Sequence, residues 1–232
     1  MTQTSQPVAV ITGASKGLGR ALAGALAARG WRLVLDARTP GPLATDLPGA
    51  VILAGDVTDP THRAELAAAV RAAGRLDLLV NNASDLGPSP LPSVAAYPLD
   101  ALRRVYETDV LAPVALVQEL VPLLRAAHGM VVNVSSDAAV EAYPYWGGYG
   151  SAKAALDQIT AVLATEEPEL AVYAVDPGDM RTDMHQAAFP GEDISDRPEP
   201  AAVVPAFLRL LDTRPPSGRY RASALIGAEV LS

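Results

Sequence analysis

Ser136 and, thirteen positions later, Tyr149-Gly150-Ser151-Ala152-Lys153 bring a hydroxyl, a phenol and an ammonium into one neighbourhood. Together these groups can move a proton. With Tyr149 opening a helix, Lys153 follows one turn on along the same face, so both side chains reach one site. A free tyrosine titrates near ~10, too high for acid-base work at neutral pH, and a neighbouring ammonium favours the phenolate and brings that value down. Ser136, arriving at a strand end, would then hydrogen-bond the oxygen of a carbonyl or alcohol that exchanges a proton with Tyr149. Taken alone, a Tyr and a Lys one turn apart also describe an ordinary surface helix.

The elements that must position these groups alternate between strand and helix. Val8 to Ile11 is a β-branched run that breaks into Thr12-Gly13-Ala14-Ser15-Lys16-Gly17-Leu18-Gly19, and Arg20 to Arg29 is Ala/Leu-rich and helical. Glycines at such a junction let the backbone turn tightly and approach a pyrophosphate, whose charge the helix N-terminus favours. The spacing G-x-x-x-G-x-G differs from G-x-G-x-x-G, and a glycine turn also serves without a ligand. Further strands are predicted over Arg32 to Asp36, Ala50 to Ala54, Leu76 to Val80, Gly129 to Ser135 and Leu170 to Asp176, with a last one at Ala224 to Ile226 after a basic turn from Arg214 to Arg221. Helices are predicted from Pro60 to Ala73, from Leu99 to about Ala126 with a kink at Pro113 and a bend or end at Pro122, from Tyr149 to Glu166, and from Pro205 to Leu211. Near-continuous apolar strands in such an alternation predict one α/β domain over residues 1–232, a Rossmann-like, doubly wound parallel sheet of about seven strands with helices on both faces.

Charge and composition narrow the partners. Half of the 232 residues are hydrophobic and the net charge is −8, which argues against nucleic acid. There is no cysteine, so disulfides, thiolate metal sites and cysteine nucleophiles are excluded. Three scattered histidines, His62 and His128 among them, do not make a metal site. Met1 to Pro7 lacks the basic start of a leader, and no uninterrupted apolar stretch approaches the roughly 20 residues of a membrane span, so a cytoplasmic protein is expected.

Ligand-facing positions fall at strand C-termini. Asp36-Ala37-Arg38 ends the second strand, where a Rossmann protein reads the adenosine ribose; Arg38 suits a 2′-phosphate, with Lys16 as a second cation, whereas Asp36 in the right pose would grip a free 2′-hydroxyl. The two cations tilt the choice toward NADP over NAD. Thr182 to Pro200, rich in Pro, Asp, Glu and Gly, reads as a mobile substrate flap over residues 182–200. Tyr143, Tyr145 and Trp146 either line a substrate pocket or pack a loop.

With the elements in place, the chain resembles the short-chain dehydrogenase/reductase family from its first strand to roughly its last. Thr12-Gly13-x-x-x-Gly17-x-Gly19, with Ser15, Lys16 and Leu18 inside it, is similar to the family's cofactor turn, Asp56-Val57 to its adenine contact and Asn81-Asn82-Ala83 to its fourth-strand motif. Ser136, Tyr149 and Lys153 resemble its catalytic set, and Pro177-Gly178 with Thr182 its segment beside the nicotinamide carboxamide. The resemblance implies hydride transfer between a nicotinamide ring and a small or medium carbonyl or secondary alcohol. It implies Ser136 orienting the oxygen, Tyr149 donating the proton, Lys153 tuning Tyr149 and holding the nicotinamide ribose, and a homodimer or homotetramer built through long helices. Two positions depart from the family's pattern. Ser84 stands where glycine usually follows Asn-Asn-Ala, and Asp109 stands where many members have an asparagine that holds a relay water, adding a negative charge near Lys153 that works to raise Tyr149. A cofactor-binding sensor with little turnover and a cofactor-recycling epimerase or dehydratase are the competing expectations.

Overall fold

The chain's computed structural model describes residues 6–227; Met1 to Ser5, part of the segment read above as no leader, lie outside them. In chain order the elements are β1 (Val8–Ile11), α1 (Gly17–Ala28), β2 (Arg32–Ala37), the single turn α2 (Leu43–Asp46), β3 (Val51–Ala54), α3 (Pro60–Ala73) and β4 (Leu78–Asn81). There follow α4 (Leu99–Tyr106), α5 (Ala112–Ala127), β5 (Met130–Val134), α6 (Gly147–Glu166), β6 (Ala171–Asp176), α7 (Asp183–Ala188), α8 (Val204–Thr213), β7 (Gly218–Arg221) and α9 (Ala222–Gly227). The strands form one sheet in the order β3-β2-β1-β4-β5-β6-β7, every neighbouring pair parallel. Strand order reverses between β1 and β4, and in open α/β sheets the crevice outside the strand C-termini at that point takes the ligand.

Both faces of the sheet are covered, which explains why its strands are apolar at successive positions. Ala9, Ile11, Leu33, Leu35, Val80 and Val132 pack against Leu18, Leu22 and Leu26 of α1 and Phe207 and Leu210 of α8. Their neighbours Val8, Val10, Val34, Leu79 and Val131 point the other way, onto Leu66 and Val70 of α3 and Leu116, Leu120 and Leu124 of α5. On this second face a buried polar chain crosses the apolar layer. Asn81 donates to Asn133 Oδ1 at 2.7 Å, Asn133 donates to Thr160 Oγ1 at 2.8 Å, and Thr160 donates to the Leu156 carbonyl at 2.6 Å. These bonds tie β4 and β5 to the middle of α6.

Two predicted elements need correction. The final strand is Gly218–Arg221, inside the stretch read as a basic turn, and Ala222–Gly227, covering the predicted strand Ala224 to Ile226, is helical. Alternation decides it: Arg219 turns inward to acidic partners, and the Tyr220 ring stacks edge-on against Tyr173 with centroids 5.8 Å apart. The long helix also behaves differently. α4 and α5 are joined by a π-helical turn, Glu107–Leu111, placed where Pro113 lacks an N–H for the carbonyl of Asp109, four residues back. Pro122, in contrast, neither ends nor interrupts α5. The joined run Leu99–Ala127 is, by length and composition, apolar enough to cross a membrane, although Glu119 and Arg125 interrupt it, and its Leu116, Leu120 and Leu124 pack on the sheet.

Replacing Thr160 with Val keeps the shape and strands the buried Asn133 amide. The expected loss is about 1–3 kcal/mol, measured as a lower urea midpoint at unchanged m-value, and an unaltered midpoint would show that this polar chain does not hold α6.

Candidate active site

A cleft of about 1380 Å³ opens at the C-terminal edge of the sheet and runs from Gly13, Arg38 and Asp56 at one end to Ser136, Tyr149 and Lys153 at the other. The glycine turn supports one wall. Gly13 has a left-handed φ of 64°, and a Cβ there would lie 2.9 Å from Ala83 Cα, so the β1 and β4 loops can meet only without it. Asn82 and Thr12 lock that meeting: the Asn82 amide donates to the carbonyls of Thr12 at 2.9 Å and Gly13 at 3.1 Å, while Thr12 Oγ1 accepts from the N–H groups of Asn82 and Ala83, each at 3.0 Å. α1 begins at Gly17 without a side-chain cap, and Ser15, Gly17 and Leu18 line the cleft beside its first turn. An uncapped helix N-terminus on a glycine loop fits the pyrophosphate of a nicotinamide dinucleotide. Gly19 lies behind this surface, where a Cβ would strike the Asn82 side chain.

The hydroxyl, phenol and ammonium converge on the inner end of the cleft. α6 starts two residues before Tyr149, so both Tyr149 and Lys153 sit in its first two turns, and Lys153 Nζ lies 5.4 Å from the centre of the Tyr149 ring. Lys153 is 1% exposed and donates to the Val134 carbonyl at 3.0 Å. Ser136 caps the turn Asp137–Ala139, its hydroxyl donating to Asp137 at 3.1 Å and accepting from the Ala138 N–H at 3.2 Å. Arg219 holds the same residue from behind: its guanidinium donates to the Ser136 carbonyl at 2.8 Å and pairs with Asp157 at 2.9 Å. Nothing in the basic run of the sequence distinguished Arg219, because its partners lie on other elements.

Asp109 is fully buried under this end of the cleft, held in the π turn with Oδ1 3.5 Å from Lys153 Nζ. The Asp85 N–H donates to it at 3.2 Å, and the buried Ser84 hydroxyl lies against both the Asp109 carboxylate and the Tyr149 phenol. Burial raises the Asp109 carboxyl above its ordinary range even though Lys153 pulls it down. For Lys153 burial opposes the charge, but Asp109 and Tyr149 outweigh it and its pKa is raised. The Tyr149 phenol is also raised: burial is the main cause, Lys153 works against it, and Asp109 adds to it. The lowering expected from Lys153 is therefore present as one influence and overcome in the net.

At the outer end Val57 is buried, and Arg38 and Asp56 are exposed. Burial is the largest single influence on Asp56 and acts to raise it, but bonds from Thr58 and the charge of Arg38 together leave its carboxyl below the ordinary range. Asp36 is turned inward, its two oxygens bonded to Gly13 N–H at 3.1 Å and to His62 at 2.5 Å. The free-ribose pose considered for Asp36 is thus closed to it in this conformation. Burial raises Asp36 while the His62 bond acts in the opposite sense. Lys16 reaches Asp183 at 2.8 Å, so it joins the glycine turn to the segment read as a flap. That segment holds α7, whose N-cap Thr182 lines the cleft with Pro177 and Gly178 and accepts from the His185 N–H at 3.1 Å. Trp146 also lines the cleft, its ring 5.8 Å from Tyr149 and 5.9 Å from Phe189, whereas Tyr143 and Tyr145 are largely exposed.

Residues 7–193 match the family model described as short chain dehydrogenase. The chain is 36% identical over 199 residues to sepiapterin reductase of Xenopus tropicalis, covering 77% of this chain and 76% of that one. Among solved structures, a short-chain dehydrogenase from Pseudomonas syringae superposes with a TM-score of 0.87 at 30% identity, over 96% of this chain and 97% of the other. One from Shigella flexneri, solved as a complex with NADP, gives 0.86 at 28% identity over 96% and 100%. This chain belongs to the short-chain dehydrogenase/reductase family and is an NAD(P)-dependent oxidoreductase.

Lys153→Met leaves Asp109 buried without its counter-charge, and the expected cost at pH 7 is about 3–5 kcal/mol. Because burial raises the Asp109 carboxyl, acidification from pH 7 toward 5 protonates it in the folded state before the unfolded state, so the cost should shrink as the charge that Lys153 balances is removed. Urea unfolding at the two pH values checks this, and an equal cost at both would contradict it.

Proposed function

We propose that the enzyme is an NADP(H)-preferring oxidoreductase that moves hydride between the nicotinamide and a small or medium carbonyl or secondary alcohol, with Tyr149 as general acid and base. The observation that carries this reading is that Ser136, Tyr149 and Lys153 line the same cleft as the uncapped glycine turn of α1. The dinucleotide, when bound, supplies or accepts the hydride. In the reducing direction Ser136 hydrogen-bonds the substrate oxygen and Tyr149 gives it a proton. Lys153, charged and facing the phenol, stabilises the phenolate that remains and bonds the nicotinamide ribose. Asp109 keeps Lys153 charged in its dry site and so acts through it. Thr182, Pro177 and Gly178 would meet the carboxamide, Asp56 and Val57 the adenine, and Asn82 and Ala83 the floor beneath the ring.

Arg38 supports NADP(H), being an exposed guanidinium at the outer end of the cleft while Asp36, two residues before it, is turned away. The family neighbour from Shigella flexneri that was solved with NADP points the same way. Leu86, Trp146, Met184 and Ala188 form apolar walls beside Tyr149, which suits a carbonyl carrying an apolar group. Exposed Leu99, Leu111 and Val162 on the long helices support self-association as a homodimer or homotetramer. One observation favours a low-turnover cofactor sensor: the Tyr149 phenol is raised in the net, partly by Asp109.

NADPH at about 100 times its Kd should stabilise the protein by about 2.7 kcal/mol against unfolding. With a panel of aldehydes and ketones, Tyr149→Phe should lower kcat by about a hundredfold or more while leaving NADPH binding intact. Binding without turnover of any carbonyl by the wild type would favour the sensor. Arg38→Ala should weaken NADPH about tenfold or more, as expected for one charge-assisted contact, and leave NADH nearly unchanged; equal effects on both would remove the case for a 2′-phosphate at Arg38.

A further inference from the structure

A second buried acid and base lie beneath the outer end of the cleft, far from Tyr149. Asp36, near the end of β2, is 2% exposed, and His62, in the first turn of α3, is 4% exposed. His62 Nε2 is 2.5 Å from Asp36 Oδ1, and Oδ2 accepts from the Gly13 N–H at 3.1 Å. The Asp36 backbone carbonyl accepts in addition from the Ala14 N–H at 2.8 Å, so this residue is fixed to the cofactor turn at two points. The imidazole has a seat made for it: a Cβ on Gly55 would come within 2.2 Å of His62 Nδ1, so the ring fits only because β3 is followed by glycine. Its Nδ1 is buried with no partner, which leaves the bond to Asp36 as the polar contact that fixes the ring.

Asp36 and Arg38 stand two residues apart and line the same end of the cleft. A carboxylate released there would lie beside the guanidinium, partly neutralise it, repel a 2′-phosphate and offer an acceptor to a free 2′-hydroxyl. We infer that His62 is a cofactor-selectivity residue: by pinning Asp36 against the glycine turn, it keeps that carboxylate away from Arg38 and leaves Arg38 to a 2′-phosphate. His62 matters in this way only on the NADP(H) assignment proposed above. It is a positioning residue, since it acts through Asp36. Asp56, the other carboxylate near Arg38, stays in place in either case, bonded by Thr58.

Affinities for NADPH and NADH, measured by nucleotide fluorescence on folded protein without substrate, test this. His62→Leu should lower the ratio of Kd for NADH to Kd for NADPH by about tenfold, the scale of one partly screened charge brought close. His62→Gln, which retains a neutral donor, should stay within about twofold of the wild type. Adding Asp36→Asn to His62→Leu should restore the ratio, because no charge is left to release. If His62→Leu weakens both nucleotides by one factor, or changes neither, or if the double variant fails to restore selectivity, the inference is overturned. Should His62→Leu not fold, Asp36→Asn alone decides: a ratio held or raised supports the inference and a lowered ratio contradicts it. Failure of the NADP(H) assignment has a separate signature, a wild-type protein that binds NADH at least as tightly as NADPH.

Discussion

The inner end of the cleft depends on keeping an ammonium charged where there is almost no water. Lys153 and Asp109 are both buried, 3.5 Å apart, and either alone would be costly to hold there. The surrounding structure follows from that pairing. Pro113 forces the preceding turn wide, and the π turn presents Asp109 beneath α6. The Asn81–Asn133–Thr160 chain sets the height of α6 on the sheet, and the Val134 carbonyl receives Lys153. Tyr149, one turn earlier on the same face, thus has a fixed positive charge at its ring and an apolar wall on its other side.

The same device occurs at the opposite end of the cleft in a different form. There the buried carboxylate is Asp36, its partner is His62, and the result is a charge turned away from the ligand surface. Both pairs place the supporting acid under the cleft floor, and both leave a cation facing the space above, Lys153 at one end and Arg38 at the other. An anionic dinucleotide lying along the C-terminal edge would meet these two cations and the uncapped start of α1 between them. The net acidic surface of the chain is compatible with this because the relevant positive charge is local.

The architecture was largely legible in the sequence because apolar runs of strand length alternate with helical periods, and a sheet covered on both faces leaves that signature strongly. The motifs around Gly13, Asn82, Ser136, Tyr149 and Lys153 were legible for the same reason, since each falls at the C-terminal end of a strand or just inside a helix. What could not be read were contacts whose partners lie far apart along the chain. His62 looked like a residue at a helix start; its meaning comes from Asp36, 26 positions away. Lys16 looked like a free cation and is paired with Asp183, 167 positions on. β7 was misplaced because Gly218-Arg219-Tyr220-Arg221 has the composition of a turn, and only pairing with β6 and the inward salt bridges of Arg219 make it a strand. The direction of the Tyr149 shift was hidden likewise, because burial outweighs the nearby lysine that the local sequence shows.

In the proposed reaction Tyr149 gives a proton to the oxygen of a carbonyl whose carbon receives hydride in the same cleft. The most direct measurement follows the hydrogen: the protein is incubated in ordinary water with NADPH deuterated at the transferable position of the nicotinamide and a mixture of small and aromatic aldehydes and ketones, and the products are analysed by mass spectrometry. The expected product is an alcohol carrying one deuterium on its carbinol carbon, formed in step with loss of NADPH. Tight binding of the nucleotide with no deuterated alcohol, or an altered substrate whose new C–H comes from solvent while the NADPH is returned, would contradict it.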